Sequence, residues 1–290
     1  MTGHILTIPF ADGSHEILAT DDPLGQRAIA RVARFLHLKD YCRDGEIPSD
    51  TSIFFTTTPP GAGWQPWDAT NNFKGQLFWE PSSPRFHFQL APGETGQGDL
   101  TRIARRAIYL AVCRHSLTGE SFMLHGTMLS PDDSSAHVIF GQSGMGKSTA
   151  SLRFIAQGGT CLADDRMVVT RMPDGQYRVQ PMPTWSRLGT CDISVPFTDI
   201  RSILSMTMLV RGHDDEIAPA NPSTWRLELV SDISEYLYIP ANWIGKSLIR
   251  RIVDGLLPRA TLLQKYFGSY EMHGDLQGHI FDHLSNYHRP

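Results

Sequence analysis

Long apolar runs are missing from this 290-residue chain. None reaches the ~18–20 residues needed to cross a bilayer as a helix. Cysteine is scarce and scattered: Cys42, Cys113, Cys161 and Cys191 form no close pair. That spacing argues against a disulfide framework or a cysteine zinc site, and leaves reduced thiols as the expectation. Positive charge is in deficit, with 26 Lys and Arg against 30 Asp and Glu, a net charge of -4. The basic footprint of a nucleic-acid-binding domain is therefore absent. The arginines at 102, 105 and 106 and at 250 and 251 read as solvated helix faces. The opening residues Met1-Thr-Gly-His-Ile-Leu6 lack the basic-then-apolar pattern of a secretion signal. The expectation is a soluble, cytoplasmic protein with no nucleic-acid and no membrane partner. With 41% hydrophobic and 19% charged residues it has the composition of an ordinary globular chain.

Periodicity divides the chain into two parts. Apolar and polar residues alternate around Ile5, Leu6, Ile8, Phe10, Ile17 and Leu18, with Ala11-Asp-Gly-Ser14 between them, which predicts a hairpin. Asp22-Pro23 reads as a helix start, and Leu24, Ala28, Val32 and Phe35 keep helical spacing to about Leu38. Residues 40–72 read as loops with short strands. Gln76–Trp79 and Phe86–Leu90 read as strands joined by the turn Pro81-Ser-Ser-Pro84. Trp64, Trp67, Phe73 and Trp79 suit the packing of a small sheet, with a stacking platform for a ligand as the other reading. Pro92-Gly93 to Gly98 is a linker before a helix that Asp99 can cap, so the boundary is expected near residue 95. An N-terminal α+β region, 1–95, would precede a catalytic domain, 96–290. Beyond it, apolar runs alternate with helical segments: strands at Phe122–Leu124, His137–Phe140, Cys161–Ala163, Met167–Thr170, Tyr177–Val179 and Ile203–Val210. Helices are expected after Lys147, over 223–233 and 243–257, and from about 275. The fold class is α/β.

The most informative segment is Gly141-Gln-Ser-Gly-Met-Gly-Lys147-Ser148, a full match to G-x-x-x-x-G-K-[ST]. Its context is the expected one, since Val138-Ile-Phe140 precedes it as a strand and Leu152 and Ile155 follow at helical spacing. Glycines let consecutive amides turn inward towards phosphate oxygens, and a helix N-terminus adds its positive end. The cofactor-binding residues are then Gly141, Ser143, Gly144, Met145, Gly146, Lys147, Ser148 and Thr149, with Lys147 on the β- and γ-phosphates of a nucleoside triphosphate and Ser148 on Mg²⁺. Asp164-Asp165 ends the apolar run one strand after the loop. Strand ends are where ligands meet α/β sheets, and a carboxylate there can accept a proton from an incoming hydroxyl. If the strand continued through the pair, the two side chains would point to opposite faces. His125, after its own apolar run, reads from the residues alone as a structural histidine.

His125-Gly126, the loop at 141–148 and Ala163-Asp-Asp165-Arg-Met-Val together resemble the core of the HPr kinase/phosphorylase family and of its peptide-modifying relatives, the lasso peptide kinases. Within that superfamily, Leu124-His-Gly-Thr-Met-Leu129 and Pro181-Met-Pro-Thr-Trp-Ser-Arg187 are similar to the kinase-like proteins of SynChlorMet peptide-modification cassettes. The resemblance covers roughly residues 120–210. It implies an HPr-kinase-like, phosphoenolpyruvate-carboxykinase-like P-loop core rather than a standard parallel sheet. It also implies ATP and Mg²⁺ as cofactors, His125 beside the transferring phosphate, and one of Asp164 and Asp165 as base with the other as a magnesium or water ligand, Asp164 being the preferred base. A homo-oligomer is a further implication. Thr149-Ala150 stands where HPr kinases carry an acidic residue, and Asp192 is the nearest counterpart of their downstream acidic loop. HPr itself and the reverse phosphorylase reaction are thus not implied. Trp185 and Arg187, in a proline-rich loop, could line an acceptor groove or pack on the surface.

The expected activity is an ATP- and Mg²⁺-dependent kinase acting on a Ser or Thr hydroxyl of a ribosomally made peptide or small protein. A kinase for a small molecule such as an amino acid or sugar, and a nucleotide-binding accessory protein with little transferase activity, are the alternatives.

Overall fold

The first hairpin forms where the alternation places it, as β1 (Thr2–Pro9) and β2 (His15–Thr20) paired antiparallel. Asp22 then starts α1 (Pro23–Leu36). Its carboxylate accepts from the amides of Leu24 at 2.7 Å and Gly25 at 3.2 Å and from the Thr57 hydroxyl at 2.6 Å. Partial burial works against the charge, but these bonds outweigh it and hold the Asp22 carboxyl below its usual range. The computed structural model describes the chain except for residues 67–73, 81, 82, 84, 94, 119, 184–194, 213–215, 242–244, 275–283 and 285–290. The expected turn at 81–84, the aromatics Trp67 and Phe73, and the helix from about 275 fall wholly or partly outside the described residues.

Two compact units are present: residues 1–119 with 242–244, and residues 120–241 with 245–290. In the first, β3 (Cys42–Glu46), β4 (Ile53–Thr56), β5 (Gln65–Pro66), β6 (Gly75–Glu80) and β7 (Arg85–Leu90) join the hairpin in a seven-stranded sheet of order β3-β1-β2-β4-β7-β6-β5. The helix α2 (Gln97–Thr118) packs on α1 and β2. Its Arg114 pairs with the buried Glu16 of β2, and its His115 stacks on Phe10 with ring centres 3.7 Å apart. That packing is why the units part at residue 119 and not near residue 95. The amphipathic helix expected to open the catalytic domain buries its apolar stripe in the first unit.

The second unit is built around β8 (Ser121–Ser130), β9 (Ser135–Phe140), β11 (Arg166–Arg171), β12 (Tyr177–Pro181) and β13 (Arg201–Arg211). Pairings β8–β11, β11–β12, β12–β13, β13–β9 and β9–β8 close these five strands into a ring. Only β9 and β13 run parallel within it. At one end the ring opens into further strands: β10 (Thr160–Ala163) continues along the β8 edge that β11 leaves, β15 (Tyr270–Gly274) runs parallel to the far half of β13, and β14 (Glu216–Pro219) pairs with β15. The short β14 and β15 carry no strong alternation and were not expected. The helices are α3 (Lys147–Ala156), α4 (Pro222–Ala241) and α5 (Gly245–Phe267), each longer at its end than the spacing alone indicated or within a residue of it.

The register of α3 differs from the expected one. Leu152 and Ile155 are each 41% exposed, and the inner face is Lys147, Ala150, Ser151 and Phe154. Small residues at 150 and 151 let the helix lie close to β8 and β10. Phe154 then fills the core with Leu129, Ile139, Cys161, Leu209, Met272 and Leu284. Cys42, Cys113 and Cys161 are free thiols, as their spacing indicated; Cys191 is outside the described residues. Among the described residues, no helix is long and apolar enough to cross a membrane.

Candidate functional site

Every residue of β9 is buried, and the strand ends with Phe140 under the edge of Trp225, ring centres 5.1 Å apart. The chain must turn away there without a side chain. Gly141 has φ 141°, and a β-carbon on it would come within 2.8 Å of the Leu209 carbonyl oxygen. After the loop, Gly146 (φ 107°) stands at the N-cap of α3. It brings no side chain to cap the helix, and a helix N-terminus presents its first-turn amides and positive end to an anion.

The two aspartates occupy a break in the sheet. β10 and β11 both run antiparallel to β8, and Asp164-Asp165 is the bend between them, opposite Gly126. The Gly126 amide donates to the Asp165 carbonyl at 3.2 Å, and His125 is register partner to Arg166. A β-carbon on Gly126 would meet the Ile139 carbonyl oxygen at 2.5 Å, so only glycine lets β8 lie this close to β9 at the break. Because the strand does not continue through the pair, the alternation of faces does not apply. Both carboxylates border the same space.

That space is a cavity of about 320 Å³ lined by His125, Ser143, Gly144, Gly146, Lys147, Ser148, Thr149, Asp164 and Asp165. The glycine-rich loop, the aspartate pair and the histidine, separated by up to some forty positions in sequence, thus meet in one wall. Asp165 is turned towards two cationic or protonatable groups: its Oδ1 is 3.8 Å from His125 Nε2 and its Oδ2 is 3.5 Å from Arg166 Nε. Asp164 is only 5% exposed. Lys147 is 6% exposed, and its ammonium donates to the carbonyls of Gly141 and, at 3.1 Å, Gln142. Gly141 and Met145 are not in the cavity wall: Gly141 is the turn that follows β9, and Met145 packs against the core cluster around Phe154. Trp185, Arg187 and Asp192 lie outside the described residues.

Two sets of supporting residues were not singled out by sequence. Behind the wall, the Thr127 hydroxyl donates to the Ala163 carbonyl at 3.0 Å and lies 2.6 Å from the Ser151 hydroxyl, which also reaches the Lys147 carbonyl at 3.1 Å. Burial pushes the neighbouring Cys161 thiol up to about 11, so it stays neutral there. On the other side of the loop, Asp232 of α4 accepts the Gly141 amide at 2.6 Å and Glu228 accepts from Gln142 Nε2 at 3.2 Å. Arg211 donates to the Gly144 carbonyl at 3.3 Å. The only sequence signal for Asp232 is its spacing: Trp225, Glu228, Leu229 and Asp232 recur on one face of a helix.

No curated protein matches the chain. Residues 94–287 match the model of the family described as SynChlorMet cassette protein ScmC, which covers more than half of the sequence, and the chain belongs to that family.

Proposed function

We propose that this protein is an ATP-dependent phosphotransferase of the HPr-kinase-like type that phosphorylates a Ser or Thr hydroxyl on the peptide of its cassette. The observation that carries the reading is the single cavity in which the Gly141–Ser148 loop, Lys147, both aspartates and His125 converge. The N-terminal end of α3, which no side chain caps, and the buried Lys147 form a site whose chemistry suits a polyanion. Carboxylates lining the same cavity repel an anion unless a cation or a proton-bearing acceptor comes with it. That is the arrangement phosphoryl transfer needs.

Roles follow from the surroundings of each group. The loop amides and Lys147 would hold the β- and γ-phosphates. Among the described residues no three His, Cys, Asp or Glu side chains converge as a metal cage, so a divalent ion would share its shell with the phosphates, Ser148 and Asp165. Magnesium there would neutralise phosphate charge. Asp165, oriented by His125 and Arg166, fits that metal side, and the base role falls to Asp164. The acceptor hydroxyl gives its proton to the Asp164 carboxylate while its oxygen bonds to the γ-phosphorus. The bond from that phosphorus to the β–γ bridging oxygen breaks, and ADP leaves.

Incubation with γ-labelled ATP, Mg²⁺ and the cassette peptide tests this. Label in the peptide, lost in Asp164→Asn while nucleotide binding survives, is the expected result. Label appearing only in a small molecule, or phosphate release with no labelled acceptor, would replace the peptide-kinase reading with one of its alternatives. Undiminished transfer by Asp164→Asn would remove Asp164 as base.

A further inference from the structure

Asp232 is 2% exposed, and the proposed chemistry gives it no part. Its Oδ2 accepts the Gly141 amide at 2.6 Å, while the carbonyl of the same glycine accepts from the Lys147 ammonium. The first residue of the loop is thus gripped by a carboxylate on its amide side and by a cation on its carbonyl side. Asp232 does not act alone. One turn earlier on the same face of α4, Glu228 holds the Gln142 side chain at 3.2 Å, and one turn before that Trp225 covers Phe140. Three residues of α4 thus meet the strand end and loop that build the cavity: Trp225, Glu228 and Asp232.

The bond between the Asp232 carboxylate and the Gly141 amide is charge-assisted and lies out of water. A charge-assisted bond is shorter and stronger, and it fixes the amide it binds. We propose that Asp232 is a positioning residue for the triphosphate: acting through Gly141, it fixes the loop in its receiving conformation before nucleotide arrives. Less ordering is then left to oppose binding. The inference rests on the nucleotide reading given above.

The test is calorimetric titration of the full-length protein with Mg-ATP, which returns both affinity and the fraction of competent sites. Asp232→Ala should weaken the Kd roughly tenfold or more at unchanged stoichiometry. Asp232→Asn, which keeps an oxygen acceptor on the same stem but not its charge, should fall between the parent and Ala. Asp232→Ser draws the polar atom back from Gly141 and should match Ala, so the comparison survives if Ala does not fold. A merely structural role would lower stoichiometry and leave the Kd of the remaining sites unmoved; that result, or an unchanged Kd in Ala and Ser, overturns the proposal. A parent protein that does not take up Mg-ATP at all would instead overturn the nucleotide reading itself, before any variant is compared.

Discussion

Thr127 donates its hydroxyl proton to the carbonyl of Ala163, the residue before the aspartate pair, and its oxygen lies 2.6 Å from the hydroxyl of Ser151 on α3. One buried hydroxyl thereby joins the helix that follows the glycine-rich loop to the bend that carries both carboxylates.

Removing that link should separate the two halves of the site without removing either. Thr127→Val keeps the volume but leaves the Ala163 carbonyl and the Ser151 hydroxyl to find other partners. We expect kcat for phosphate transfer to fall roughly tenfold or more while Mg-ATP affinity changes by less than about threefold. Thr127→Ser should restore most of the rate. Equal loss in Val and Ser variants would mean that the methyl group, not the hydroxyl, is what matters.

Gly126→Ala places a methyl group where the Ile139 carbonyl stands at 2.5 Å. That carbonyl is backbone and cannot yield as a flexible side chain would, so β8 and β9 must part. A loss of at least ~2 kcal/mol in stability is expected. Urea denaturation measures it, and an unchanged midpoint would show that the two strands are not this close.

The register of α3 can be read from three substitutions. Leu152→Lys and Ile155→Lys, on the exposed face, should change stability by no more than about 0.5 kcal/mol. Phe154→Ala, which empties a fully buried position, should cost about 3–5 kcal/mol. The reverse order would restore the register in which 152 and 155 face inward.

Acid sensitivity should have a defined source. His137 is buried on β9 beside the Ser205 hydroxyl, 2.8 Å from its Nδ1, and burial pushes it down to about 4 from 6.5. Between those values the unfolded chain takes up a proton that the folded chain refuses. Stability is therefore full above pH 6.5 and declines as the pH falls towards 4, by at most about 3 kcal/mol from this group. His137→Asn should flatten that part of the profile. Urea midpoints at pH 7 and pH 5 for both proteins give the comparison.

Much of this was legible in the sequence, because the informative signals are local. The loop needs its glycines at fixed offsets, Asp22-Pro23 marks a helix start, and the alternation from Ile5 to Leu18 gives a hairpin. The inner face of α3 was not legible, since Leu152 and Ile155 are the conspicuous apolar residues and the buried contacts run through Ala150 and Ser151. Placing the unit boundary near residue 95 took the glycine-rich linker as decisive, whereas the packing of α2 on α1 is a tertiary fact. Thr127 and Asp232 were invisible for a related reason. An isolated threonine or aspartate acquires its meaning from a partner tens of residues away.

The bend at Asp164-Asp165 also governs where the chain can change length. β10 and β11 both pair with β8, and the shift between Cys161 and Ala163 already takes up one extra residue in β10, so a further residue added or deleted between 160 and 171 would have to slip one ladder or the other and carry a carboxylate out of the cavity. The turns at 131–134 and 172–176 close hairpins and contribute no residue to the cavity around the aspartates, the first of them fastened by Asp132, whose carboxylate accepts from the Ser134 and Ser135 amides. Drift in this family should therefore accumulate as insertions at those two turns, with the spacing from Thr160 to Arg171 held constant.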